Sequence, residues 1–329
     1  MAVFTPVSKD QASKFIEIFE LGNLLHLRGI STGIENTNYF LTAEGGEFVL
    51  TLFERLTPHE LPYYLHLMQH LAAKGIPVPK PRADSLGNML FELNGKPAAL
   101  VSKLPGSHQI EPSSHHCEQV GAMLAQMHVA GKDFSCEQAT LRGLSWWIQV
   151  SEQVLPFMCA DKRGLLLDEI SFQKKIAASE EYKLLPRGPV HGDLFRDNVL
   201  FLQKTAARGD NLENELDQLS GFFDFYFAGT DVLLFDIAVC LNEWCVDHRT
   251  GCSVDNRAGS FLTAYERIRP LTSSERKLLP AILRAAALRF WLSRLIDLHL
   301  PRQAKLLHPH EPEPFFRVLS RLRTREQNF

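Results

Sequence analysis

Residues 190–201, VHGDLFRDNVLF, set His191, Asp193, Arg196, Asp197 and Asn198 in a short polar stretch with apolar, β-type segments on either side. Two segments that could pack anywhere are interrupted by charge. An Asp and an Asn five positions apart can face each other across one turn. Phosphoryl transfer uses that arrangement: a carboxylate takes the proton of an acceptor hydroxyl, and an amide oxygen holds a magnesium ion on nucleotide phosphates. A polar β-turn between two strands would show the same residue types, so a second element has to decide.

That element is LSGFFDFYFA at 219–228, where Asp224 stands in a dense aromatic run. A charged carboxylate there is costly unless something compensates it, and a magnesium ion would do so. Asp231 and Asp236 follow at the start of a predicted helix over 232–246, where capping and the helix dipole account for an acid in the first turn.

The elements that must position these residues are legible in outline. Apolar spacing predicts a helix over 15–24 and strands at 25–30, 39–42 and 48–53, the last two joined by a hairpin turn at 44–47. The segment 31–38 is rich in small and amide residues. It is either a plain hairpin loop or a flap whose N–H groups lie over phosphates. No G-x-G-x-x-G or Walker run occurs. The Gly-Lys pairs at 95–96 and 131–132 lack the following Ser or Thr, which excludes a P-loop ATPase. A helix is expected over 61–74, then prolines at 77, 79 and 81, then strands broken at Gly87-Asn88 and Asn94-Gly95. Helices are expected at 117–128, 144–157, 165–185 and 312–323, and the acidic stretch 204–218 reads as an exposed hairpin tip.

Length and composition bound the class. A chain of 329 residues with 45% hydrophobic and 22% charged residues is expected to form two unequal lobes. The net charge of -3 speaks against a nucleic-acid partner. No stretch matches a membrane span, because 232–246 carries Asp236 and Glu243, and nothing at the N-terminus reads as a secretion signal. Six cysteines without Cys-x-x-Cys spacing fit reduced thiols, so a cytoplasmic location is expected. His115-His116-Cys117 reads as a helix start rather than a metal site.

The spelling HGDLFRDN, with Gly192 where the kinase H-R-D-x-x-x-x-N loop has Arg, resembles the aminoglycoside phosphotransferase and choline kinase branch of the kinase-like fold. FFDFYF likewise resembles the Asp-Phe-Gly element, with Tyr226 in place of Gly. The resemblance implies an α+β, two-lobed protein-kinase-like fold. It would have a small antiparallel-sheet lobe over 1–100, a connector over 101–106 and a larger, mainly helical lobe over 107–329. It implies ATP and Mg2+ as cofactors, Asp193 as catalytic base, His191 as a residue bracing the loop, and Asn198 and Asp224 as metal ligands. It also implies nucleotide contacts from Gly33, Ile34, Glu35, Asn36, Thr37 and Asn38 and from Ser102 and Leu104 in the connector. In such enzymes the second acid after the metal strand braces the catalytic loop, so for Asp236 bracing and capping both stay open. One departure stands out: Thr51 and Tyr64 occupy the places of the Lys and Glu that usually hold the phosphates.

Taken together, GISTGIENTNYF, FVLTLFE, HGDLFRDNVLF, FFDFYFAGTDVLLFDIAVCLNEWC and LRFWLSRL are similar to homoserine kinases built on the aminoglycoside-phosphotransferase fold. This implies L-homoserine as the small-molecule acceptor alongside ATP. Its carboxylate and ammonium would need a cation and an anion near Asp193, and Arg289, Arg294 and Glu243 are the candidates by charge and position. The alternatives are a kinase for choline, an aminoglycoside or a sugar, and a catalytically silent nucleotide-binding protein.

Overall fold

The structure is a computed structural model that describes residues 4–30, 35–203, 217–300 and 310–324. Its described residues divide into two compact units. One holds 4–30, 35–105 and 221–226; the other holds 106–203, 217–220, 227–300 and 310–324. Residues 221–226, which include Asp224, therefore cluster with the N-terminal unit although they lie far along the chain.

The first unit is built on a five-stranded sheet, order β1-β2-β3-β5-β4, from β1 (Leu24–Gly29), β2 (Thr37–Ala43), β3 (Gly46–Leu52), β4 (Phe91–Leu93) and β5 (Lys96–Ser102). Every pairing is antiparallel. In β2 burial alternates strictly, so Thr37, Tyr39, Leu41 and Ala43 share the inward face. Tyr39, Leu41 and Ala43 pack with Phe48, Leu50, Leu100 and helix α1 (Lys9–Glu17), which contributes Phe15 and Ile16. The helix expected at 15–24 thus lies earlier. Ser8 and Gln11 form a capping box that starts it at Lys9, and left-handed Glu20 and Gly22 prevent it from continuing. Helix α2 (Leu61–Ala73) buries Tyr64, Leu65, Met68 and Leu71. No strand forms just before Gly87, because Asp84 Oδ1 accepts the amides of Leu86 and Asn88 at 2.9 and 2.8 Å and folds the segment into a turn.

The second unit is mainly helical: α3 (Ser114–Ala130), α4 (Leu144–Val154), α5 (Ala160–Ala177), α6 (Glu180–Lys183), α7 (Leu233–Trp244), α8 (Arg257–Ile268), α9 (Ser273–His299) and α10 (Glu313–Thr324). The single helix expected over 165–185 is two, because Ser179 leaves helical geometry and caps α6 by accepting the Tyr182 amide. His116 accepts the Ser113 amide in a reciprocal cap of α3, so the His-His-Cys stretch is a helix start. Most of the polar insertion at 204–218 lies outside the described residues.

Two small ribbons carry the polar loops. β6 (Arg187–Val190) pairs antiparallel with β9 (Gly229–Val232), and β7 (Val199–Leu202) pairs with β8 (Gln218–Phe222). A third, two-residue ribbon joins β10 (Val246–Asp247) to β11 (Cys252–Ser253). All twelve residues of α7 are buried, which makes it the central helix of its unit. Among the described residues no helix is long and apolar enough to cross a membrane.

Candidate active site

The polar loop runs from β6 to β7 and is held from beneath by α7. Asp236, Cys240 and Trp244 are spaced four apart and so share one face of that helix. Asp236 accepts the backbone N–H groups of His191 at 2.6 Å and Gly192 at 2.7 Å. Trp244 Nε1 donates to Leu194 O at 2.9 Å, and Cys240 Sγ lies 3.9 Å from the same oxygen. His128 Nε2 stands 3.3 Å from Asp236 Oδ2, and its Nδ1 is 2.7 Å from the Tyr265 hydroxyl. Asp236 is fully buried, so these donors are what makes its charge tolerable there. Of the two readings open for Asp236, bracing the loop is the one its contacts support.

Within the loop, His191 is buried and its Nδ1 accepts the Asp193 amide at 3.2 Å. Gly192 adopts φ +75°, and a Cβ on it would stand 2.9 Å from Phe227 O, so this backbone has no room for the Arg of the kinase signature. Asn198 Nδ2 donates to Asp193 O at 2.8 Å. With its nitrogen spent on the backbone, the oxygen is the side-chain atom that could meet a cation.

The Asp193 carboxylate meets Arg289 Nη1 at 3.1 Å. Burial pushes Asp193 up to about 6, against the pull of the Arg289 guanidinium, while Asp197 adds to the rise. Burial likewise lowers Arg289 to about 10, with Asp193 opposing. Arg289 is only 3% exposed, and the rings of Phe290 and Phe227 approach its guanidinium carbon with centroids at 3.8 and 5.3 Å.

A second charged group lies where α7 ends. Glu243 has Oε1 3.5 Å from Arg196 Nε and Oε2 3.5 Å from His248 Nε2. Arg196 also donates to the carbonyls of Glu243 and Ile110, tying the loop to this helix end. Burial raises Glu243 to about 8, opposed by Arg196 and Arg294. Arg294 donates to Glu311 O at 3.1 Å and lies 4.5 Å from the Phe315 ring centroid; burial lowers its pKa while Glu243 and Asp193 raise it. The second unit holds Asp193, His191, Asn198, Arg289, Arg294 and Glu243 around this loop. It adds Asp236, His128, Arg196 and His248, which the sequence reading did not put among the site residues.

In the first unit Gly33 and Ile34 lie outside the described residues. Glu35 pairs with Arg55 at 3.3 Å, and Asn36 is buried. Thr37 and Asn38 belong to β2 rather than to a loop. Thr37 Oγ1 accepts the amides of Phe4 and Thr5 and donates to Glu54 at 2.7 Å, while Asn38 Oδ1 accepts from Thr51 at 2.7 Å. In place of a Lys-Glu ion pair the unit buries Thr51 and Tyr64 beside Tyr226, whose ring lies 6.0 Å from Tyr64 and 4.9 Å from Phe53. Burial, and then the neighbouring Asp224 charge, push the Tyr226 hydroxyl well up, and Thr51 hydrogen-bonds it. No buried charge is left unmatched by the loss of that pair. Ser102 Oγ accepts the Lys80 amide at 2.9 Å, and Leu104 packs where a Cβ on Gly221 would lie.

Asp224 follows β8 at φ +66°, a conformation that costs a non-glycine residue about 1–2 kcal/mol. Asn198 and Asp224 each offer a hard oxygen donor suited to magnesium.

A family model described as "Phosphotransferase enzyme family" matches residues 26–271, and the chain belongs to that family. Over 319 residues it is 53% identical to a homoserine kinase of Polaromonas naphthalenivorans (strain CJ2), covering 97% of both chains. It is 50% identical to a homoserine kinase of Janthinobacterium sp. (strain Marseille), covering 97% of this chain and 95% of that one. Among solved structures it is similar to an amicoumacin kinase in complex with AMP-PNP, Ca2+ and Ami, with TM-score 0.67, 16% identity, and 96% and 92% coverage. An aminoglycoside phosphotransferase from Alicyclobacillus acidocaldarius gives TM-score 0.64 at 15% identity, over 98% of this chain and 96% of that one. These two likenesses establish the α+β kinase-like fold.

Proposed function

We propose that the chain transfers the γ-phosphoryl group of ATP to the side-chain hydroxyl of L-homoserine, giving O-phospho-L-homoserine and ADP in the cytoplasm, with Mg2+ as the metal. The observation that carries this reading is the match to homoserine kinases at about half identity over nearly the whole chain. The charge pattern supports it. A zwitterionic acceptor needs both a cation and an anion; the second unit sets Arg289 and Arg294 near Asp193, and Glu243, which burial holds up to about 8, would ionise against an arriving ammonium.

In this reading the acceptor carboxylate lies against Arg289 and Arg294, and its ammonium against Glu243. The hydroxyl oxygen forms the new bond to the γ-phosphorus while the bond from that phosphorus to the ADP oxygen breaks, its electron pair leaving with ADP. The hydroxyl proton passes to Asp193, a step typically worth about 10² to 10⁴ in rate. His191 and Asp236 hold the loop backbone so that this carboxylate does not drift. Asn198 and Asp224 would hold magnesium, which neutralises charge on the phosphate oxygens when bound. The nucleotide would be met by Gly33, Ile34, Glu35, Asn36, Thr37 and Asn38 through backbone N–H groups, and by Ser102 and Leu104.

The test is ADP release, with and without magnesium, on a panel of L-homoserine, choline, an aminoglycoside and a sugar. Magnesium-dependent release with homoserine, well above the other acceptors, is expected. No signal above background with homoserine would overturn the assignment.

A further inference from the structure

Arg289 is buried to 3% exposure, yet among the described residues its bonding capacity is not used up. Nη1 donates to Asp193 Oδ1 at 3.1 Å, whereas Nε is buried and has no hydrogen-bond partner. The Phe290 and Phe227 rings lie against the guanidinium, with centroids 3.8 and 5.3 Å from its central carbon, and its N–H groups bond in its own plane. A donor shut away from water without an acceptor is costly, and beside a catalytic carboxylate a bound group that completes it accounts for its presence. The matching ligand group is planar and anionic, with two oxygens, because a guanidinium presents its N–H groups as a fork.

We propose that Arg289 is shared between the catalytic carboxylate and the acceptor: its Nη1 stays on Asp193 while its unspent Nε edge receives the acceptor's own carboxylate. The acceptor's acid group and the base that takes its hydroxyl proton are then referred to one rigid group. The enzyme therefore selects hydroxy acids over alcohols of otherwise equal shape, and Arg289 acts as a specificity-determining residue. This rests on the proposed reaction and goes beyond it, since it assigns discrimination to a particular edge of one side chain. A lysine at this position keeps a charge beside Asp193 but has no second in-plane donor, so it retains the base's partner and loses the reader of the carboxylate.

The experiment compares L-homoserine with 3-aminopropan-1-ol, which is homoserine without its carboxylate, as acceptors for the wild-type enzyme, Arg289→Lys and Arg289→Gln. A site built to pair with a charged group rejects an analogue lacking it strongly, so the wild-type enzyme should favour homoserine in kcat/KM by about 10²-fold or more. In both variants that ratio should collapse towards unity, because the homoserine rate falls by more than the amino alcohol rate. A merely structural role would lower both rates by one factor and leave the ratio intact, and that result overturns the proposal. Should the variants not fold, the wild-type ratio still decides: near-equal use of the two acceptors also overturns it. An enzyme that uses neither acceptor would instead remove the underlying reaction.

Discussion

Replacing Asp236 with Asn keeps the shape of the side chain and changes its bonding. The native carboxylate is fully buried and accepts from the amides of His191 and Gly192 at 2.6 and 2.7 Å and faces His128 Nε2 at 3.3 Å. Bonds to a charged acceptor contribute about 1.5–3 kcal/mol each, against about 0.5–1.5 for neutral ones. An amide retains one oxygen and turns an NH2 towards the remaining donors, leaving at least one buried N–H without an acceptor at about 1–3 kcal/mol. Relief from burying a charge offsets part of this, and the expected net loss is about 2–4 kcal/mol. All four tryptophans, at 146, 147, 244 and 291, lie in the second unit, so the urea midpoint followed by tryptophan fluorescence reports the affected half directly. Because the same bonds set the backbone that carries Asp193, kcat should fall by about 10²-fold, the usual cost of misplacing a catalytic group by about 1 Å. A variant with the native midpoint and native kcat would refute the brace.

Three further outcomes follow. Gly192→Ala forces a side chain onto a residue at φ +75° with Phe227 O 2.9 Å from its Cβ, and should cost about 1–3 kcal/mol and lower kcat; an unchanged urea midpoint would contradict this. Thr37→Val removes the acceptor of the Phe4 and Thr5 amides and the donor to Glu54, and should weaken the first unit by about 1–3 kcal/mol. Hydrogen exchange across β2 should then accelerate while the tryptophan-reported midpoint of the second unit holds. A base must be ionised to act, so activity is present above the Asp193 pKa of about 6 and is lost as pH falls through it. Since Arg289 pulls that pKa down against burial, Arg289→Gln should move the acid limb of the kcat/KM profile to higher pH, and a limb that stays or moves down contradicts the pairing.

The chemistry was easier to read than its supports. His191, Asp193 and Asn198 fall within eight residues and so announce a loop, and the apolar runs at 39–42 and 48–53 announce two strands, which the structure extends to Thr37–Ala43 and Gly46–Leu52. The four-residue spacing of Asp236, Cys240 and Trp244 was also present in the sequence, but all-round apolarity in α7 hides which face carries contacts. The roles of His128, Arg196 and His248 are hidden, since their partners Asp236 and Glu243 lie from 5 to 108 positions away. Helix α8 gives little sequence signal for a related reason: only Phe261, Ala264 and Tyr265 of Arg257–Ile268 are buried, too thin a stripe to stand out. The place of the absent Lys-Glu pair is taken by Thr51, Tyr64 and Tyr226, whose grouping depends on 221–226 joining a unit formed far upstream.

The turnover of Asp193→Asn with L-homoserine bears most directly on the central claim, that this carboxylate takes the acceptor proton. The variant should bind ATP as the native enzyme does and turn over about 10² to 10⁴ times more slowly. Phosphohomoserine formed by the variant at close to the native rate would contradict the assignment.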